Sequence, residues 1–244
     1  MSRANVDAAR LARVVVAVDG PSGSGKSSVS RQVAAELGLR YLDTGAMYRA
    51  VTWWMLTHGI DVTDAAAVAA SAEEPVVVPG TDPTDPTITV DGTDVRGPIR
   101  GDDVTNAVSA VSAVPAVRAR LVDLQRSALA GGGIVVEGRD IGTVVAPEAD
   151  VKIFLTASEQ ARALRRAAEH SATDQGDIVV GRTRDALRRR DKIDSSRSVS
   201  PLRKAGDAVE IDATERTLAE VVDTVTRLVL DRAGAQTTKD RVNQ

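Results

Sequence analysis

The sequence predicts an α/β fold, a doubly wound parallel sheet flanked by helices. Continuous β-branched runs at residues 14–19, 134–137 and 151–155 read as strands buried on both faces. Segments of helical period separate them, which is the grammar of strand–helix–strand units. The first run empties into Gly20-Pro21-Ser22-Gly23-Ser24-Gly25-Lys26-Ser27, directly ahead of a helical pattern.

After the strand at 14–19, residues 27–37 form a helix with Val29, Val33 and Leu37 on one face, closed by Gly38. Residues 41–43 are a short strand. Residues 46–58 are a helix ended by Gly59, in which Trp53 and Trp54 read as packing residues. The pattern then changes. A small Ala-rich helix is followed by apolar 76–78, a turn-rich stretch at 79–83, alternating 87–90, Asp91-Gly92 and a further strand at 93–96. Asp-Gly between alternating segments signals a hairpin, so this stretch, about 61–110, is a small antiparallel insertion. Helical pattern returns over 102–130, interrupted at Pro115, and 131–133 is a glycine loop. After the strand at 151–155, Ser158 caps a helix through His170, and residues 171–176 are a loop. Residues 208–211 are the last strand, and Thr217 with Glu220 forms a capping box for the final helix. The main domain therefore spans 14–233, between a mobile leader at 1–13 and a disordered tail at 234–244.

Composition narrows the chemistry. The 244 residues are 43% hydrophobic, enough for a sizeable core, and carry a net charge of −3, which argues against a general nucleic-acid binder. Cysteine is absent, which excludes thiolate nucleophiles and cysteine zinc sites and suits a reducing cytoplasm, the expected location. His58 and His170 have no partner motif and read as surface or packing residues. No apolar run approaches a membrane span and the leader lacks a signal-type core, so no membrane partner is expected. Charge is unevenly placed. Residues 61–110 hold ten acids against Arg96 and Arg100, whereas 158–204 hold ten arginines and two lysines against seven acids. A basic segment facing a phosphate loop suits a polyphosphate substrate.

The glycine-rich segment fits G-x-x-x-x-G-K-[ST] after a strand and before a helix. Backbone N–H groups from Gly23 to Ser27 would curl around a nucleotide β-phosphate, Lys26 would reach the β/γ oxygens, and the Ser27 hydroxyl would ligate Mg²⁺. Gly20, Pro21, Ser22, Gly23, Ser24, Gly25, Lys26, Ser27 and Ser28 are the candidate ATP-binding residues. Asp19 precedes them and serves either the strand end or, through water, the magnesium. Three polar clusters follow: Asp43–Arg49, Glu137–Thr143 and Arg190–Arg197, the last after a basic helix. Each holds an arginine, the side chain suited to bidentate phosphate recognition. A surface ion pair explains any one of them; beside a phosphate loop, three converge on a phosphate.

The order GPSGSGKS, YLDTGAMYR, NAVSAVSAVPAVR, EGRDIGTVVAP, RDKIDSSR and PLRKAGDAVEIDAT resembles the bacterial cytidylate kinases, members of the nucleoside monophosphate kinase group of P-loop proteins. The resemblance covers nearly the whole chain. It implies Mg²⁺-dependent phosphoryl transfer from ATP to CMP or dCMP by a monomer, with a monophosphate-binding insertion at about 61–110 and a helical lid at about 158–197. It places Thr44 and Arg49 on the CMP side, Ser109 and Arg118 at the cytosine, and Arg139 at a phosphate with Asp140 on the nucleoside. It puts Arg190 and Asp194 at sugar and phosphates, Arg197 at the base side, and Arg162 and Arg165 in the lid or on the donor side. Lys26, Arg139 and Arg190 are the implied catalytic residues. Thr44 stands where serine is common, keeping the hydroxyl. The acceptor oxygen is already ionised, so neither Asp140 nor Asp194 needs to act as a general base. A kinase for another small acceptor and a GTP-dependent switch remain alternatives at this level; the switch usually carries Asn-Lys-x-Asp, and the chain has no Asn-Lys pair.

Overall fold

A computed structural model describes residues 8–170 and 177–242, with side chains over 8–168 and 180–234. In chain order the elements are α1 (Ala8–Leu11), β1 (Val15–Asp19), α2 (Lys26–Leu37), β2 (Arg40–Asp43), α3 (Thr44–Thr57), α4 (Ala65–Ala70), β3 (Val77–Pro79), β4 (Ile88–Val90) and β5 (Thr93–Asp94). There follow α5 (Asp102–Val111), α6 (Pro115–Leu129), β6 (Ile134–Gly138), β7 (Val151–Thr156), α7 (Glu159–His170), α8 (Asp177–Ser196), β8 (Val209–Asp212) and α9 (Leu218–Val242).

The main sheet is ordered β2-β6-β1-β7-β8 and every pairing in it is parallel. Successive side chains of a strand point to opposite faces, and the apolar runs supply both faces at once. Val16 and Val18 of β1, with Val135 of β6, enter a core shared with Val29 and Val33 of α2 and Val225 and Val229 of α9. Ala17, Ile134 and Val136 enter the opposite core, with Met47 and Met55 of α3 and Leu121 of α6. Each fully buried aliphatic contributes roughly 1.5–3 kcal/mol, so both layers are held by strands the sequence marks as unbroken apolar runs.

The insertion forms a separate antiparallel sheet, β3-β4-β5. Asp91 and Gly92 take φ of 51° and 79° between paired Val90 and Thr93, the left-handed geometry that a two-residue hairpin requires. Asp91 is held there because its carboxylate accepts from Trp54 Nε1 at 2.7 Å and from the Val76 N–H at 2.8 Å. Trp54 stacks on His58 with ring centroids 4.0 Å apart, a packing role for both.

Several boundaries differ from the sequence reading for identifiable reasons. Helix α3 begins at Thr44, because Asp43 caps it by accepting from the Ala46 N–H at 2.9 Å. Pro115 divides 102–130 into α5 and α6 and stands at the start of α6, where its missing N–H costs nothing. Residues 8–13 are not a loose leader. Leu11 packs on the core shared with α2 and α9, and the chain passes so near the glycine loop that a Cβ on Gly132 would meet the Arg13 carbonyl oxygen at 2.1 Å. The run Gly131–Gly133, with φ of 87°, 68° and 61°, makes that approach possible. Helix α9 spans Leu218–Val242 and so runs into residues that the sequence reading assigns to the tail. Thr217 and Glu220 form the expected capping box, the Thr217 N–H donating to Glu220 at 2.8 Å. The basic segment is an antiparallel pair, α7 and α8, and Arg190–Arg197 lies mostly on α8 rather than after it. The loop expected at 171–176 lies outside the described residues.

Candidate active site

The carboxyl ends of β1, β2 and β6 bring the phosphate loop and the clusters at 43–49 and 137–143 to one edge of the sheet, the expected place for a ligand in an open α/β fold. Helix α8 supplies most of the cluster at 190–197. From β1 the chain turns through the glycine-rich loop into α2. Gly20 has φ of 151° and lies against β7, where a Cβ would meet the Leu155 carbonyl oxygen at 2.1 Å. Gly25 caps α2 in the left-handed region, leaving the N-terminal N–H groups of the helix facing the loop.

Lys26 is buried beneath this loop, its Nζ donating to the Pro21 carbonyl at 2.7 Å. Burial, with Arg139 nearby, pulls its pKa down to about 7 against the opposing pull of Glu137, Asp19 and Asp191. Glu137, at the end of β6, accepts from the hydroxyls of Tyr41 and Ser27, and burial followed by the charge of Asp43 pushes it up to about 7. Asp19 takes the strand-end role: its two oxygens accept the N–H groups of Ile141 and Gly142 at 2.8 Å each. It thereby anchors a π-helical turn, Ile141–Val145, that follows β6. Burial raises its pKa to about 6.

Facing the loop is a concentration of cations. Arg190 is pulled down to about 9 by burial, then by Arg139 and Arg49, against Asp194. Arg49 is pulled down to about 10 by burial, then by Arg166, with Arg100 and Arg139 adding and Asp43 opposing. Arg49 is oriented by donating to the Ile99 carbonyl at 3.1 Å and to Thr105 Oγ1 at 2.9 Å. The anionic counterpart is Asp194, which accepts from Arg139 Nε at 3.1 Å and pairs with Arg197 at 2.5 Å. Burial pushes Asp194 up, but Arg139, Arg197 and Arg190 outweigh it and hold the carboxyl below its ordinary value. The ion pairs of Asp194 run to Arg139 and Arg197, and Arg190 acts on it through charge.

Beyond this cluster Arg118 of α6 pairs with Asp140 at 2.5 Å and lies over the Tyr48 ring, 5.2 Å from its centroid. Ser109 is buried on α5, its carbonyl accepting from Ser112 Oγ, and the Ser112 carbonyl accepts from Arg118. Thr44 Oγ1 donates to the Glu137 carbonyl at 2.7 Å, which leaves the hydroxyl free only as an acceptor. On the other side of the loop, Arg162 donates to the Ser22 carbonyl at 2.9 Å, and Arg165 donates to the Ser24 and Ala213 carbonyls at 3.4 and 2.6 Å. A cavity of ≈ 170 Å³ lies there among Ser24, Gly25, Ser28, Arg165, Arg216 and Thr217.

Sequence reasoning passed over Glu137, Asp191, Arg100, Arg166 and Arg216. Glu137 and Asp191 stood inside recognised clusters, Glu137 as a carboxylate ending an apolar strand beside the loop; the others had no local signal. Among the described residues no group of three or more His, Asp and Glu is arranged to hold a metal.

Donor-type phosphate loop on one side, converging guanidinium groups on the other: with a parallel sheet beneath them, these define a P-loop phosphotransferase. The cytidylate kinase family model matches residues 16–231, and the chain belongs to that family. Among its relatives, cytidylate kinases of Streptomyces avermitilis and Streptomyces griseus are 60% and 61% identical over 225 and 218 residues, 91% and 88% of this chain and 95% and 92% of theirs. The cytidylate kinase of Streptomyces coelicolor is 62% identical over 224 residues, 91% of this chain and 95% of its own.

Proposed function

We infer that the protein transfers the terminal phosphoryl group of ATP to CMP or dCMP, giving ADP and CDP or dCDP. The observation that carries this reading is the cluster of Arg49, Arg139 and Arg190 facing the Lys26 loop. Burial and mutual repulsion pull Arg49 and Arg190 below their ordinary values. Such a cluster is costly until an anion enters it, and a phosphate monoester supplies that anion. The family assignment and the names of the relatives support cytidine as its nucleoside.

In this reading the triphosphate lies on the loop from Gly20 to Ser28, with its terminal phosphate toward Lys26 and its base toward the cavity beside Arg165. Arg49 and Arg139 hold the acceptor phosphate. Arg190 lies between the two phosphates and, with Lys26, neutralises charge spreading over the transferred oxygens. Two anions otherwise repel, so fixing them in line is most of the catalytic task. Arg118, held by Asp140, and Ser109 read the cytosine, while Thr44, Asp194 and Arg197 complete the acceptor side. Asp194 orients Arg139 and Arg197 rather than removing a proton, because the attacking phosphate oxygen is already ionised.

Mg²⁺ fits the donor side: Ser27 stands exposed at the first turn of α2 and its hydroxyl donates to the buried Glu137 carboxylate, a pair of hard oxygen groups. When bound, Mg²⁺ would neutralise charge on the donor phosphates. Helices α7 and α8 carry Arg162, Arg165 and Arg190, and Arg197 directly follows α8, so substrates bridge this segment to the core, which excludes competing water. We also infer a cytoplasmic monomer; among the described residues no helix is long and apolar enough to cross a membrane. The test is ATP labelled in its γ-phosphate incubated with CMP and Mg²⁺. Label in the β-phosphate of CDP is expected; label appearing only as inorganic phosphate would refute transfer.

A further inference from the structure

Asp191 is not among the residues assigned to substrate above, yet its carboxylate is committed to the phosphate loop. One oxygen accepts the Ser22 N–H at 3.1 Å. The other pairs with Arg162, which itself donates to the Ser22 carbonyl at 2.9 Å. Both backbone polar groups of a single loop residue are thus gripped, the Ser22 N–H from α8 and the Ser22 carbonyl from α7. The clamp is sheltered: Ser22 and Arg162 are buried, and the Asp191 side chain is 18% exposed. Exposed ion pairs contribute little, whereas a sheltered one with backbone hydrogen bonds fixes geometry. Helix α7 also lies directly on the next residue, since a Cβ on Gly23 would meet the Arg162 carbonyl oxygen at 3.2 Å.

We propose that Asp191 is a positioning residue that, with Arg162, latches the α7–α8 pair onto the phosphate loop and keeps Lys26 and Arg190 in register across the transferring phosphate. The proposal rests on the reading that this loop holds ATP. The connection is short in sequence: Arg190 immediately precedes Asp191, and Ser22 lies four residues before Lys26. The charge of Asp191 is also felt at Lys26. The N–H groups from Gly23 to Ser27, which cradle phosphate in loops of this pattern, begin at the amide whose carbonyl Arg162 holds, and none of them is a donor in the latch. The latch therefore sets the shape of the loop without occupying the phosphate position. It gives Arg162, which the resemblance places in the lid or on the donor side, the part of one half of the latch.

The experiment is calorimetric titration of ATP and, separately, of CMP, with kcat measured alongside, for the wild type, Asp191→Asn, Asp191→Ala, Arg162→Met and the Ala/Met double variant. Asp191→Ala is expected to weaken ATP about tenfold and lower kcat, and to change CMP binding less than about twofold, as for a coupled neighbouring pair. Asp191→Asn keeps an acceptor for the Ser22 N–H and recovers part of the loss. In the Arg162→Met background, Asp191→Ala adds less than about a further twofold. Unchanged ATP affinity in Asp191→Ala, tighter ATP binding in it, or a full tenfold loss in both backgrounds overturns the latch. If Asp191→Ala does not fold, the same comparison is made with Asp191→Asn. A wild-type protein that binds no ATP would instead overturn the donor-site reading itself, a result separate from any difference among variants.

Discussion

Replacing Arg118 with methionine would leave a buried carboxylate without its cation. Arg118 and Asp140 meet at 2.5 Å with 2% and 6% of their side chains exposed, so neither charge has water to fall back on. Removing one partner of such a pair costs about 3–5 kcal/mol, because the survivor keeps its desolvation and loses its counter-ion. The Ser112 carbonyl loses its guanidinium donor as well. At about 2–4 °C per kcal/mol for a domain of this size, the melting temperature should fall by roughly 6–20 °C. Thermal unfolding followed by circular dichroism, without substrate, measures this on Arg118→Met, Asp140→Asn and the double variant. The double variant should recover most of the loss, since no unpaired charge stays buried. At a temperature where the variant is folded, its kcat/KM for CMP should fall strongly and that for UMP less. A guanidinium faces the N3 and O2 acceptors of cytosine well but meets the N3–H of uracil poorly. A melting temperature within about 2 °C of wild type, together with an unchanged CMP to UMP ratio, would refute both the buried pair and the base-reading role.

Lys26→Met should lower kcat by about 10²–10³-fold, the scale for losing one electrostatic stabiliser, with the circular dichroism spectrum unchanged. Near-normal turnover would place the chemistry elsewhere. Arg49→Met should reduce kcat/KM for CMP and UMP by the same factor, since both carry the same phosphate; a selective loss would contradict its phosphate role. Gly20→Ala should be poorly folded, because the Leu155 backbone lies 2.1 Å from the added Cβ and cannot yield cheaply; a wild-type melting temperature would contradict that packing. Asp19 gives a pH signature. Its folded pKa of about 6 lies above the ordinary 3.8, so its stabilising contribution is present below 3.8 and lost as pH rises through about 6. Asp19→Asn lacks that loss, so it should gain on the wild type by up to about 3 kcal/mol between those values. Denaturant unfolding across the window checks this, and a constant difference would refute the burial of a charged carboxylate.

What the sequence made legible was whatever is encoded locally. The strand at 15–19, the loop after it, the Asp91-Gly92 hairpin and the Thr217–Glu220 box each carry their cause within a few residues. Features fixed by distant partners were not legible. Nothing near Asp19 says that its carboxylate ties down Ile141 and Gly142, so the π-helical turn was missed. The triglycine at 131–133 reads as a loop, and only the folded chain reveals that it admits the backbone of Ala12 and Arg13. At the site, the motifs named Arg139, Asp194 and Arg197; the Asp194–Arg197 pair is local, but the Arg139–Asp194 pair depends on bringing β6 beside α8. Asp191 sat inside a recognised motif, yet its partners, Ser22 and Arg162, lie far away in the chain.

The reading stands most directly on acceptor choice, measured as ADP released from ATP and Mg²⁺ with CMP, dCMP, UMP, AMP or no acceptor. Rapid release with CMP and dCMP is expected, slower release with UMP, and release near background with AMP or with no acceptor. ADP formed equally fast without an acceptor, or fastest with AMP, would contradict a cytidine monophosphate kinase.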